Sequence, residues 1–160
     1  GLGSVVIIHD LEVDEELRFT LVHSHESNFA LGKLYTTRFY KLLRRSLAPA
    51  APVVVQSTSP LMARQSFWCV AQTMEAAGFV THAYHVAVPS FGEWGFVLGR
   101  DTPFEPPAHV AQVPLRYLND AVLPGLFLFP SDMDRVPAEV NRLDNQILVQ
   151  YYAQEWKRWN

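Results

Sequence analysis

Ser4-Val5-Val6-Ile7-Ile8-His9-Asp10 opens the chain with an apolar, β-branched run that no polar residue interrupts. A strand with one wet face alternates apolar and polar residues. An unbroken run instead marks a strand covered on both faces, the pattern of a parallel strand inside an α/β sheet. Such a strand has a neighbour on each side. Because this one starts almost at residue 1, the run predicts either further strands encoded upstream or cover from another chain.

Downstream, Leu31, Leu34, Tyr35, Phe39, Leu42, Leu43 and Leu47 recur at steps of three and four, which predicts an amphipathic helix ending at Ala48-Pro49. Lys41, Arg44 and Arg45 fall toward its C-terminal end, where cations complement the helix dipole, and read as a solvated face. Pro52 to Gln56 is a second apolar strand, and Ser59-Pro60 offers an N-cap with proline at the first helical position. Phe67, Val70, Ala71, Met74 and Ala77 form the buried stripe of that second helix, and Gly78 is placed to end it in the left-handed conformation. His82 to Val88 and Trp94 to Leu98 are two more strands, parted by the loop residues Pro89-Ser90-Phe91-Gly92.

Strand, helix, strand, helix, strand, strand is the order of an α/β fold, and it predicts a parallel sheet with an antiparallel last strand at its edge. On this reading residues 1–100 are a partial Rossmann-like α/β domain, the second half of a doubly wound sheet. Residues 101–160 add a connector, rich in proline and acid from Asp101 to Pro107, and C-terminal helices of the same domain over Asn119 to Phe129 and Leu143 to Trp159. Leu148, Tyr152, Trp156 and Trp159 share one face of the last helix, ready to pack on the sheet or on another subunit. There is no internal repeat and no low-complexity tract.

A chain of 160 residues fits one domain of roughly 150 residues. The net charge of −3 and the 49% hydrophobic content exclude a disordered tail and a basic nucleic-acid binder. No apolar run approaches the roughly 20 residues of a membrane span, so any membrane segment belongs to sequence outside this chain, and the expected location is cytoplasmic, at the inner face of a membrane if the full-length protein carries such a segment. The single cysteine, Cys69 between Trp68 and Val70, excludes an internal disulfide framework and reads as a small buried hydrophobe.

Ligands of open α/β sheets collect at the carboxyl ends of strands, which singles out Asp10 after the first strand and Gln56 at the end of the second, facing one crevice. A helix cap or turn acceptor for Asp10, and an ordinary loop hydrogen bond for Gln56, are the structural alternatives. His9, His23, His25 and Glu26, with Asp10 and Asp14 nearby, carry metal-ligating groups, but His-x-His-Glu matches no ligand pattern with a mechanical rationale, and no metal is expected. Pro89-Ser90-Phe91-Gly92 is not the Gly-x-Ser-x-Gly of a nucleophile elbow. Gly1-Leu2-Gly3 precedes a strand where a phosphate loop follows one, so no resident cofactor is expected either.

Taken in order, Val6-Ile-Ile-His-Asp10, Phe29-Ala-Leu-Gly-Lys-Leu-Tyr35, Arg38-Phe-Tyr40, Val53-Val-Val-Gln-Ser-Thr-Ser-Pro60, Pro89-Ser-Phe-Gly-Glu-Trp-Gly-Phe96 and Val140-Asn-Arg-Leu-Asp-Asn-Gln146 resemble the C-terminal half of a spermidine synthase. The likeness is closest to the bacterial form whose complete chain also carries membrane helices. The resemblance implies a methyltransferase-like Rossmann fold and transfer of an aminopropyl group from decarboxylated S-adenosylmethionine, a co-substrate, to putrescine or a related polyamine. A homo-oligomer is expected. An alkylammonium, with a pKa near the roughly 10.4 of lysine, must lose a proton before its nitrogen attacks carbon. Asp10 matches the family's proton acceptor and Gln56 its diamine-binding residue. Tyr35 and Trp94 lie in motifs whose aromatic rings could line the slot for the methylenes and cationic ends, with core packing as the alternative.

The sequence also departs from that family. Its paired acid motif Asp-x-x-Asp-Pro is absent, since position 13 is Val, and either Asp14 or Glu26 stands in for the second acid or neither does. Ala48-Pro-Ala-Ala-Pro52 stands where the family has Pro-Gly-Gly, and because alanine tolerates positive φ poorly, another loop shape is expected there. The glycine-rich donor-binding segment of the family has no counterpart in these residues, so the isolated chain is expected to be inactive. A non-catalytic assembly module and a methyltransferase acting on another substrate are the competing functions.

Overall fold

The computed structural model describes residues 32–89, 92–110 and 115–157, together with the backbone of residues 6–8. Its described strands are β1 (Val6–Ile8), β2 (Val53–Gln56), β3 (Val80–Val88) and β4 (Gly92–Arg100), in the sheet order β1-β2-β4-β3. The helices are α1 (Thr37–Ser46), α2 (Arg64–Ala76) and α3 (Ile147–Trp156), with 3₁₀ turns at Lys33–Tyr35 and Leu123–Phe127. The α/β class stands.

The parallel sheet does not. Every described pairing is antiparallel, including β1 with β2, where Val6 faces Val55 and Ile8 faces Val53. An unbroken Val/Ile run reports that both faces are covered, but it carries no information on direction. Strands β3 and β4 pair up to Val88 opposite Gly92, and the three residues of sequence between these two permit only the antiparallel arrangement. The long connection from Ile8 to Val53 permits either.

Residues directly opposite across strands share a face. Val55, Val97 and Ala83 form one row, and with Val53 they pack against Phe67, Val70, Ala71 and Met74 of α2 and Tyr40 and Leu43 of α1. This is the core. On the other face Gln56, Phe96 and Tyr84 form a row, with the Tyr84 and Phe96 rings stacked at 5.2 Å and 15° and Phe127 5.5 Å from Tyr84.

The predicted first helix is broken at Thr36. Its hydroxyl donates to Lys33 O at 2.9 Å and accepts from the amide of Phe39 at 3.3 Å, so it closes the 3₁₀ turn and caps α1 together. Ser59 Oγ accepts from Met62 N, and Ser59 O from Ala63 N, so the Ser59-Pro60 signal starts a turn that leads into α2 at Arg64. Gly78, at φ +99, ends α2 as expected.

The helix predicted over Asn119 to Phe129 is reduced to the turn Leu123–Phe127. Pro124 lacks an amide hydrogen, Gly125 disfavours helix, and the Asn119 carboxamide accepts from Ala121 N and Val122 N at 3.0 Å, which offers the backbone a competing turn. Likewise α3 starts at Ile147 rather than Leu143, because Asn145 Oδ1 accepts from Arg142 N and Ile147 N and Gln146 sits at φ +42. The expected avoidance of positive φ between Ala48 and Pro52 is also overturned, since Ala50 adopts φ +59.

Residues 133–141 lie along the outer side of α2. Trp68 Nε1 donates to Met133 O at 3.0 Å, Arg64 Nε to Asp134 O, Cys69 Sγ to Glu139 O, and Arg135 grips the Glu75 carboxylate through both nitrogens. From α3, Glu155 accepts from the amides of Gln65 and Ser66 and from the Ser66 hydroxyl, occupying the free donors at the start of α2.

Candidate functional site

The carboxyl end of β2 is where the structure gathers the candidate residues it describes. Gln56 ends the strand opposite Phe96. Pairing continues beyond it through Ser57 N donating to Gly95 O at 2.9 Å and Gly95 N donating to Thr58 O at 3.1 Å. This close approach is possible because residue 95 is glycine: a Cβ there would stand 2.2 Å from Phe67 Cε2 and 2.8 Å from Thr58 O. Trp94 is thereby held beside Thr58, two residues along β4 from Phe96 and on the same face as Gln56.

Tyr35 comes from the opposite side of the strand. Its hydroxyl donates to the carbonyl of Gln56 at 3.4 Å. Tyr35 and Trp94 are only 6% and 5% exposed, so both rings serve core packing at this strand end. Ser57 and Thr58 are buried as well, and their hydroxyl oxygens have no hydrogen-bond partner among the described residues. Burial raises the Tyr84 phenol above its usual pKa, so the aromatic row beside Gln56 is neutral at physiological pH.

Asp10, Asp14 and Glu26 lie outside the described residues, as do His9, His23 and His25. The antiparallel register runs the carboxyl end of β1 toward the amino end of β2. The shared crevice expected from two parallel strand ends is therefore not reproduced by this pairing. Among the described residues no group of His, Cys, Asp or Glu could hold a metal ion, and no helix is long and apolar enough to cross a membrane.

One contributor was given no role on sequence grounds. Asn141 is fully buried, and its side chain donates to Gly32 O at 3.3 Å and Tyr35 O at 3.1 Å while accepting from Leu148 N at 3.2 Å. Its only signal in sequence is membership of the Val140 to Gln146 motif.

Known proteins resolve what this strand end belongs to. The spermine/spermidine synthase domain matches residues 13–104, more than half of the chain. The chain belongs to the spermine/spermidine synthase domain family. That family's domain has a methyltransferase-like α/β fold, in keeping with the class read from sequence. A polyamine aminopropyltransferase of Leptospira interrogans is 51% identical over 132 residues, covering 82% of this chain and 26% of the relative. Polyamine aminopropyltransferase 2 of Ralstonia nicotianae is 48% identical over 133 residues, or 81% of this chain and 26% of the relative. A polyamine aminopropyltransferase of Mycobacterium tuberculosis is 40% identical over 128 residues, or 79% and 24%. The chain thus spans about a quarter of the length of these curated relatives. Tyr35, Gln56 and Trp94 fall inside the family match, whereas Asp10 and Asn141 fall outside it.

Proposed function

We propose that this chain supplies the amine-acceptor side of a polyamine aminopropyltransferase. The observation that carries the reading is Gln56: a residue at the end of a core strand, its main-chain carbonyl held by the Tyr35 hydroxyl and its neighbours in the sheet aromatic, in a family whose relatives bear that name. A carboxamide oxygen accepts from an ammonium or amine, and ring faces attract the cationic ends and cover the methylenes of a diamine.

In the reaction the lone pair of a putrescine nitrogen forms a C–N bond at the aminopropyl carbon of decarboxylated S-adenosylmethionine. The C–S bond breaks, its electron pair neutralises the sulfonium as methylthioadenosine, and the nitrogen's proton passes to a carboxylate. Asp10 is the proposed acceptor of that proton on its motif match, with Asp14 or Glu26 as the second acid. Asp10 can reach an amine beside Gln56 only where β1 runs parallel to β2, the reverse of the register described above. The donor nucleoside is held by sequence outside these residues.

The test is product analysis on the longer protein supplied with putrescine and decarboxylated S-adenosylmethionine. Spermidine and methylthioadenosine in equal amounts support the reading. Methyl transfer from S-adenosylmethionine in their place would establish the methyltransferase alternative, and no turnover with either donor the assembly one.

A further inference from the structure

We infer that Asn141 is a positioning residue of the acceptor side, acting on Gln56 through Tyr35; the inference rests on the aminopropyltransferase reading above. Tyr35 belongs to a three-residue 3₁₀ turn, too short to fix its own orientation. Thr36 closes the turn on itself, and Asn141 ties it to the rest of the fold. The Asn141 carboxamide donates to the carbonyls on both sides of that turn, Gly32 O and Tyr35 O, and its main-chain carbonyl accepts from Thr37 N at 3.0 Å, where α1 begins. The clamp is anchored in turn: Asn141 N donates to Thr73 Oγ1 of α2 at 2.9 Å, and Asn141 Oδ1 accepts from Leu148 N in the first turn of α3.

Both amide hydrogens, the side-chain oxygen and both main-chain groups of Asn141 are thus engaged, all in a fully buried position. Only a side chain with two donors and an acceptor on one planar group satisfies this set. From Tyr35 the path has one more step, the hydroxyl that donates to Gln56 O. Displacing the turn therefore moves the residue that meets the diamine, although Asn141 itself touches no substrate.

The experiment is steady-state kinetics on the longer protein carrying Asn141→Asp, which keeps the size and the acceptor to Leu148 N but leaves at most one donor, the O–H of a protonated carboxyl, for the two carbonyls. KM for putrescine should rise about 10-fold, the scale of one or two lost hydrogen bonds, with kcat within about 2-fold and KM for the donor unchanged. In a Tyr35→Phe background the same substitution should change KM by less than about 2-fold, because the path to Gln56 is already cut. A variant with a lower melting temperature but unchanged KM for putrescine overturns the inference, as does full additivity with Tyr35→Phe. Should Asn141→Asp not fold, Thr73→Val decides the matter, since it removes the anchor of Asn141 N and, with it, the hydroxyl's bond to Cys69 O within its own helix: a KM rise of about 2- to 3-fold supports the inference and an unchanged KM overturns it. A wild-type protein that makes no aminopropylated product defeats the functional reading itself, whereas an active wild type with insensitive KM defeats only the role of Asn141.

Discussion

The main-chain amide of Ala50 donates to Asp101 Oδ1 at 3.1 Å across 51 residues of sequence. It ties the turn that enters β2 to the residue that follows β4, and it does so with Ala50 in the left-handed region at φ +59. The adjoining bond from Ala51 N to Ala48 O closes the turn. The chain therefore keeps a glycine-like turn shape without glycine, and the Asp101 carboxylate holds it in place.

Ala50→Gly should stabilise the protein. Left-handed backbone costs an L-residue roughly 1–2 kcal/mol, and glycine's extra freedom in the unfolded chain returns about 0.5–1 of that, leaving a gain of up to about 1.5 kcal/mol. Asp101→Ala should act in the opposite direction. Urea unfolding of both variants checks the pair, and a destabilised Ala50→Gly would show that the turn is not left-handed.

Gly95→Ala should be among the more costly single substitutions on β4. Its Cβ would meet Phe67 Cε2 at 2.2 Å and the main-chain oxygen of Thr58 at 2.8 Å, and the second contact is backbone that cannot rotate away. Overpacking of this kind costs typically about 1–3 kcal/mol. The loss should be accompanied by a change in Trp94 fluorescence, because the bonds from residue 95 to Ser57 and Thr58 are what hold this strand end together.

Signals that act over a few residues were legible in the sequence: the stripe of α2, its stop at Gly78, the hairpin strands and the burial of Cys69 all appear where the pattern put them. Signals that depend on distant partners were not. Strand direction is set by which edge a strand meets, so Val5 to Ile8 could not disclose an antiparallel β1. Ala50 accepts an unfavourable φ because Asp101 rewards it, a contact invisible from Ala48 to Pro52 alone. Of the candidate site, Gln56 was legible as a strand end, and Tyr35 and Trp94 do come to that end, mainly as core. Asn141 acts on a turn more than a hundred residues away, and nothing local distinguishes it from Asn145, which only shapes its own turn.

Tyr40→Phe should leave the protein at least as stable as before. The Tyr40 hydroxyl is fully buried with no hydrogen-bond partner among the described residues, and burial, with Tyr35 and Cys69 nearby, holds its pKa well above the usual value. An unmet buried hydroxyl costs about 1–3 kcal/mol, so its removal should raise the denaturation midpoint. A loss of more than about 1 kcal/mol on thermal or urea unfolding would show that the hydroxyl is bonded after all.

Cys69 should resist thiol reagents until the protein unfolds. Burial pushes its pKa up to about 12, opposed by the Thr73 hydroxyl and assisted by Glu139 and Glu155, so almost no thiolate exists at pH 8. The folded value lies above the ordinary 9.0, so the stability this thiol contributes is complete below pH 9 and is lost as pH rises from 9 to about 12. Rapid labelling of native protein at pH 8 would contradict the burial.

The resistance of Cys69 leaves a clean background for a last test, which concerns Asp10 and the direction of β1. In the 160-residue chain the register places Val6 opposite Val55, so Val6→Cys with Val55→Cys should form a disulfide, detected by mass spectrometry. For Asp10 to accept the proton of an amine beside Gln56, β1 must instead run parallel in the longer, active protein, and there the Val6–Val55 crosslink together with an Ile8–Val53 crosslink, the two ends of the antiparallel register, should not both form. The chemistry supplies an independent reading. General bases contribute about 10²- to 10⁴-fold, so Asp10→Asn should lose turnover in that range with little change in melting temperature. The loss should shrink as pH rises, because more of the amine then arrives without its proton. A turn-capping aspartate behaves otherwise: Asp10→Ala would cost about 0.5–2 kcal/mol of stability while each folded molecule kept its activity. An active longer protein that forms both crosslinks and tolerates Asp10→Asn at every pH would remove Asp10 from the mechanism and require the base to come from another carboxylate.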